Sequence, residues 1–129
     1  MKNYFKLSIL AFVLLIASCK KDNVTSSPIE GNWAVSSFVD NGTDKTSQFL
    51  AYDFTFDKSG NMQIKGGSMM SMCNWTKLDS VYRFNMMGMH SDVLATLDDN
   101  WMLTNFSGNT CNFIDNNPNR DCKFTLQRK

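Results

Sequence analysis

Between residues 30 and 129, short runs of alternating apolar and polar residues are separated by turn signals, and no stretch keeps a helical period for long. Trp33, Val35, Ser37 and Val39 share one face of a first strand, which runs into the hairpin dipeptide Asn41-Gly42. Leu50, Tyr52, Phe54 and Phe56 alternate with Ala51, Asp53, Thr55 and Asp57, the cleanest half-buried strand of the chain. Met62 and Ile64 carry a third strand up to Gly66-Gly67. The fourth covers roughly Met72 to Leu78, with Cys73 and Trp75 in phase, and the fifth covers Val81 to Met87, with Tyr82, Phe84 and Met86 in phase. An irregular piece from Gly88 to Asp98, with one turn of helix at Asp92 to Leu97, precedes a sixth strand from Asn100 to Phe106. Cys111 to Asp115 and Asp121 to Arg128 form a last pair across Asn116-Asn117-Pro118-Asn119-Arg120. Eight short antiparallel strands predict an all-β domain. Eight is the number at which an up-and-down sheet closes on itself and loses its edges; a two-sheet β-sandwich fits the same pattern.

Ahead of this domain the pattern changes. Lys2 and Lys6 flank the start of an apolar run from Leu7 to Ile16, the length of a signal-peptide core and too short to span a bilayer, which takes ~20 residues. The run ends in Ile16-Ala17-Ser18-Cys19, which resembles the lipobox of bacterial lipoproteins. The resemblance implies cleavage before Cys19 and attachment of a diacylglycerol and further fatty acyl chains, such as palmitate, to it. Two or more chains anchor stably where one does not. The expected organisation is a signal peptide over 1–18, a polar tether over 19–29 and a domain over 30–129, in the bacterial outer membrane with its face left open.

With the signal removed, 11 Lys and Arg stand against 12 Asp and Glu, a net charge near −1. That balance gives no electrostatic footprint for nucleic acid. The membrane is expected as a partner through the lipid, not through a basic patch.

Gly31-Asn32-Trp33 on the first strand and Arg128 on the last resemble the lipocalins and the wider calycin group. In that group an Arg lies over the Trp and closes one end of an eight-stranded barrel. Arg128 shares a face with Phe124 and Leu126, as this role requires. The turn Ser37-Phe38-Val39-Asp40-Asn41-Gly42, the stretch Tyr52-x-Phe54-Thr55-Phe56 with Ser59-Gly60, and Asp98-Asp99-Asn100-Trp101 are similar to the small lipocalin-like domains of Bacteroidota lipoproteins. The resemblance implies a lipocalin-like barrel whose open end, away from Trp33 and Arg128, takes a small apolar ligand. Tyr52, Phe54, Met62, Phe84 and Met86 are the candidate ligand-binding residues, chosen by strand phase and residue type. The chain is short for a lipocalin, so a barrel filled by its own side chains, serving as an interaction scaffold, is the alternative.

Catalytic chemistry finds little support. His90 stands without a Gly-x-Ser-x-Gly or His-Glu-x-x-His motif, and adjacent Asp98 and Asp99 point to opposite faces of a strand. The expectation is no enzyme and no cofactor. Met69, Met70, Met72 and Cys73, with Met86, Met87, Met89 and His90, offer soft donors that suit Cu(I). Methionine more often fills irregular cores, so the metal reading ranks below packing. Among the cysteines after Cys19, a hairpin centred on Asn116 and Asn117 sets Cys111 directly opposite Cys122, an expected disulfide that leaves Cys73 as a thiol. The competing pairing joins Cys73 to one of the other two.

Overall fold

The computed structural model describes residues 27–89 and 91–129. Nine strands lie in one antiparallel sheet: β1 Gly31–Asp40, β2 Thr43–Asp44, β3 Tyr52–Phe56, β4 Asn61–Gly66, β5 Met69–Leu78, β6 Val81–Asn85, β7 Asn100–Phe106, β8 Thr110–Asp115 and β9 Cys122–Arg128. From β3 onward each strand pairs with the next in sequence, and β9 returns to pair with β1. β1 and β3 to β9 therefore close an eight-stranded up-and-down barrel, with β2 as one extra strand beside β1. The barrel resolves the choice against a sandwich. Closure satisfies the backbone groups that a sandwich would leave along its edges.

Asn41 and Gly42 both take positive φ, 48° and 79°, the backbone that a tight right-twisting hairpin between β1 and β2 needs. β3 covers only Gly31 to Ala34 of β1, and β2 covers Val39 and Asp40. Between β2 and β3 the 3₁₀ helix Thr46–Phe49 folds inward and buries Phe49 against Phe38, ring centroids 4.6 Å apart. Leu50, expected in phase with Tyr52, falls after this helix and is exposed.

The first strand departs from simple alternation. A β-bulge between Val35 and Ser37 inserts one residue against β9, so the inward phase passes from Trp33 and Val35 to Phe38. Ser37 and Val39 are accordingly not the core positions that alternation predicts. In the other strands the inward phase is as expected: Phe54 and Phe56, Met62 and Ile64, Cys73 and Trp75, Tyr82 and Phe84 are all buried.

The interior is a continuous aromatic packing. Phe84, Phe113 and Phe124 stack or tilt against one another at 4.9–6.1 Å, with Tyr82 joining on one side and Trp101 on the other. Each such ring removes a large apolar area from water and gains further from edge-to-face or offset geometry.

Candidate functional site

The two rims of the barrel carry its most specific chemistry. At one rim meet the start of β1, the end of β9 and the turns β3–β4, β5–β6 and β7–β8; this is the anchor rim. Residues Ser27 to Glu30 cross it as a turn, with the Ser27 amide donating to Glu30 Oε1 and the Glu30 amide to the Ser27 carbonyl. Ile29 is fully buried beneath the turn, and the Trp33 indole Nε1 donates to its carbonyl at 2.7 Å. Arg128 lies over Trp33, with its guanidinium carbon 4.2 Å from the ring centroid.

The guanidinium also donates through Nη1 to the Glu30 carbonyl, through Nη2 to the Pro28 carbonyl and through Nε to the Gly108 carbonyl. One planar side chain thus joins the incoming chain, the β7–β8 turn and the indole, a set of contacts that a lysine ammonium cannot match. Gly31 makes room: at φ 124° it lies in backbone space that only glycine enters freely, and a Cβ there would collide with Nη1 of Arg128. Gly31, Trp33 and Arg128 are therefore brought together in the geometry expected of them. The expected tether over 19–29 overlaps the fold at its end, because Ser27, Pro28 and Ile29 belong to the barrel's cover. The Ser27 hydroxyl reaches the Tyr82 hydroxyl at 3.0 Å, and burial raises the Tyr82 pKa while that contact lowers it.

The opposite rim was expected to be the open mouth. It is covered as well. Ser91 caps the short helix α1, Asp92–Ala95, by accepting the Leu94 amide, and Leu94 and Leu97 are buried over the barrel. The Trp101 indole donates to the Leu97 carbonyl, and its ring meets Phe124 edge-on at 4.6 Å. Phe49 enters from the 3₁₀ helix.

Around this rim runs a chain of charges. Asp98 pairs with Arg83, and Arg120 lies between Asp99 and Asp115. Asp98 and Asp99 thus go to separate partners, and Asp99 Oδ1 also accepts the Asn100 amide that starts β7. Asp115 has a fully buried carboxylate. Its Oδ1 accepts the Asn117 amide, whereas Oδ2 makes only an off-axis ion pair with Arg120 at 3.0 Å and no hydrogen bond. No sequence pattern announced this network, since Arg120 sits in a loop and Asp115 ends a strand.

The candidate ligand residues fall inside the packing. Phe54, Met62, Phe84 and Met86 are buried, and Tyr52 is half-buried at the start of β3, where its ring lies over Gly66. Four clefts of the described surface lie elsewhere. One of about 730 Å³ sits on the anchor rim between Pro28, Phe56, Lys58, Phe106 and Arg128, and others follow the outer wall beside Arg83 and beside Lys123. None of these is lined by the five candidate ligand residues.

The expected disulfide is overturned. Cys73, Cys111 and Cys122 are all free, buried thiols. The β8–β9 register pairs Cys111 with Leu126 and Phe113 with Phe124, four residues from the expected register. The turn is longer than the Asn116-Asn117 reading assumed, because Asp115, Asn117 and Arg120 order the loop before β9 begins at Cys122. Cys122 instead faces Asp40 of β1. Cys122 and Leu126 are four residues apart on β9, so the two sulfurs belong to levels ~13 Å apart, well beyond disulfide reach. Burial pushes the Cys111 and Cys122 thiols up to about 11 and raises Cys73 as well.

Of the soft-donor cluster, Met86 and Cys73 are buried, Met69 and Met89 half-buried, and Met70, Met72 and Met87 exposed. His90 and Cys19 lie outside the described residues. Among the described residues no three His, Cys, Asp or Glu side chains converge as a metal site. No family model, curated protein or solved structure matches the chain.

Proposed function

We propose that the chain is a lipid-anchored protein of the bacterial envelope whose lipocalin-like barrel is a filled scaffold, acting through its outer surface. The observation that carries this reading is the interior. Phe54, Met62, Phe84 and Met86 are spent on packing with Phe113, Phe124 and Trp101, and both rims are covered by the chain's own segments. A pocket for a small apolar ligand needs several hundred Å³ of enclosed, mostly apolar space. Here the positions facing that space are filled by rings. The Trp33–Arg128 pair and the up-and-down topology support the likeness to lipocalins, and Ile16-Ala17-Ser18-Cys19 supports the anchor.

Two measurements on the native protein test the proposal. Metabolic labelling with palmitate should mark the wild-type chain and not Cys19→Ser; label on the variant would contradict the anchor. Mass spectrometry of organic extracts should find acyl chains attached to the protein and no free small molecule at one per chain. A stoichiometric apolar compound would return the argument to ligand binding.

A further inference from the structure

The structure fixes where the tether leaves the domain. Ser27 is held at the anchor rim by the Tyr82 hydroxyl, and Tyr82 is the direct partner of Lys77, next to the β5–β6 turn. On the lipoprotein reading, only residues 19–26 separate that point from the lipid on Cys19. Eight residues reach at most ~29 Å. The point where the chain enters the fold, on the anchor rim, is therefore held within that distance of the bilayer. The opposite rim lies a barrel height from that point, since a ten-residue strand such as β5 runs ~33 Å and barrel strands tilt by 35–45°.

Two of the turns at the anchor rim expose large apolar side chains. Leu78, at the β5–β6 turn, is 77 % exposed, and Phe106, at the β7–β8 turn, is 42 % exposed. Neither packs over the core: Leu78 points outward from β5, and Phe106 borders the cleft that Pro28 and Arg128 also line. Isolated apolar residues on a surface are ordinary. Here they sit on the rim from which the acylated tether departs.

We infer that the barrel stands with its anchor rim against the membrane surface, Leu78 and Phe106 entering the headgroup layer beside the tether. This rests on the proposed lipid anchor and adds an orientation to it. The contact is apolar in character, not electrostatic. Lys58 and Lys77 on these turns are matched by Asp57 and Asp79, and Lys129 is paired with Asp53. With no surplus of positive charge, attraction to anionic lipid adds little. The arrangement leaves the opposite rim and the outer wall facing away from the bilayer.

The test uses the full lipidated chain in phosphatidylcholine vesicles that contain a headgroup-nitroxide lipid. An environment-sensitive fluorophore is attached through Leu78→Cys, Phe106→Cys, Leu50→Cys or Met87→Cys, one variant at a time. The native thiols are buried and do not compete. Leu50 and Met87 are exposed at the opposite rim and serve as references. Quenching at 78 and 106 should exceed that at 50 and 87 by at least threefold and should be unchanged by half-molar salt or by anionic lipid. Equal quenching at the four positions, or none at any, in protein whose mass shows the acyl chains, would overturn the orientation alone. A protein partner covering the rim would show as this second result. Protein without acyl chains would overturn the anchor and the orientation together. If Phe106→Cys fails to fold, the more exposed Leu78→Cys decides by itself.

Discussion

Both rims of this barrel are built on one device, a tryptophan near the start of a strand whose indole N–H donates to the carbonyl four residues earlier. Trp33 donates to Ile29 and Trp101 to Leu97, so each ring fastens the segment that leads into its strand and brings that segment over the barrel end. The rims differ in what lies on the ring. Trp33 carries a guanidinium whose three nitrogens each donate to a backbone carbonyl, whereas Trp101 carries Phe124 and, at 6.4 Å, Phe38. The anchor rim is tied by one central cation. The opposite rim is held by apolar packing inside a ring of charge pairs. A closure that depends on one residue should fail in one step, and a distributed one should weaken by parts.

Trp33→Ala is expected to have the largest effect, a loss of about 3–5 kcal/mol, because it removes a fully buried ring along with its bond to Ile29. Arg128→Ala should follow at about 2–4 kcal/mol, from three carbonyls left without their donor and the lost contact with the indole. Arg128→Lys should recover less than half of that, since an ammonium cannot reproduce the planar fork. Urea melts of residues 27–129 measure all three. A full recovery by lysine would mean that charge alone holds the rim.

At the other rim, Arg120→Ala should cost about 1–2 kcal/mol. It leaves Asp115 buried with one unanswered oxygen, but Arg120 is itself part-exposed, so water relieves some of the penalty. Asp115→Asn should restore part of the loss in the Arg120→Ala background, and a double-mutant cycle reads that coupling. Tyr82→Phe is expected to be the mildest change, below about 1 kcal/mol, with its effect confined to amide exchange of the Ser27–Glu30 turn.

The thiols sharpen the comparison by pH. Cys111 lies toward the anchor rim, where Arg128 opposes its shift, and Cys122 lies toward the other, among Asp40 and Asp115. Both hold their protons more tightly folded than unfolded. Their contribution is therefore complete below the unfolded value of 9.0 and is lost as pH rises from there to about 11. Stability should be flat through neutrality and fall above pH 9, while the native protein at pH 8 should react with a thiol reagent far more slowly than protein in urea.

Strand phase was legible in the sequence wherever alternation ran unbroken, as at Phe54, Phe56, Met62 and Ile64. Gly31, Trp33 and Arg128 were legible through the resemblance to lipocalins, in which a Gly-x-Trp and a late Arg meet at one barrel end. Three features were hidden by the same cause, an irregularity of a residue or a few that alternation cannot signal. The bulge after Val35 exchanged Val39 for Phe38 in the core. The longer loop before β9 moved the hairpin register by four residues and parted the expected disulfide. The segments over both rims, which carry Ile29, Phe49, Leu94 and Leu97, are too short for a period to show which side faces the barrel. That last feature turned an expected open mouth into a covered rim.

Whether the barrel is filled is the claim on which the proposed function turns, and one titration reaches it most directly. Residues 27–129, titrated with a fluorescent fatty acid while the tryptophan emission is followed, are predicted to give a linear, unsaturable response, because Phe56, Phe84, Phe113 and Phe124 fill the space an acyl chain would need. Saturable binding at one site per barrel in the unaltered protein would contradict the account.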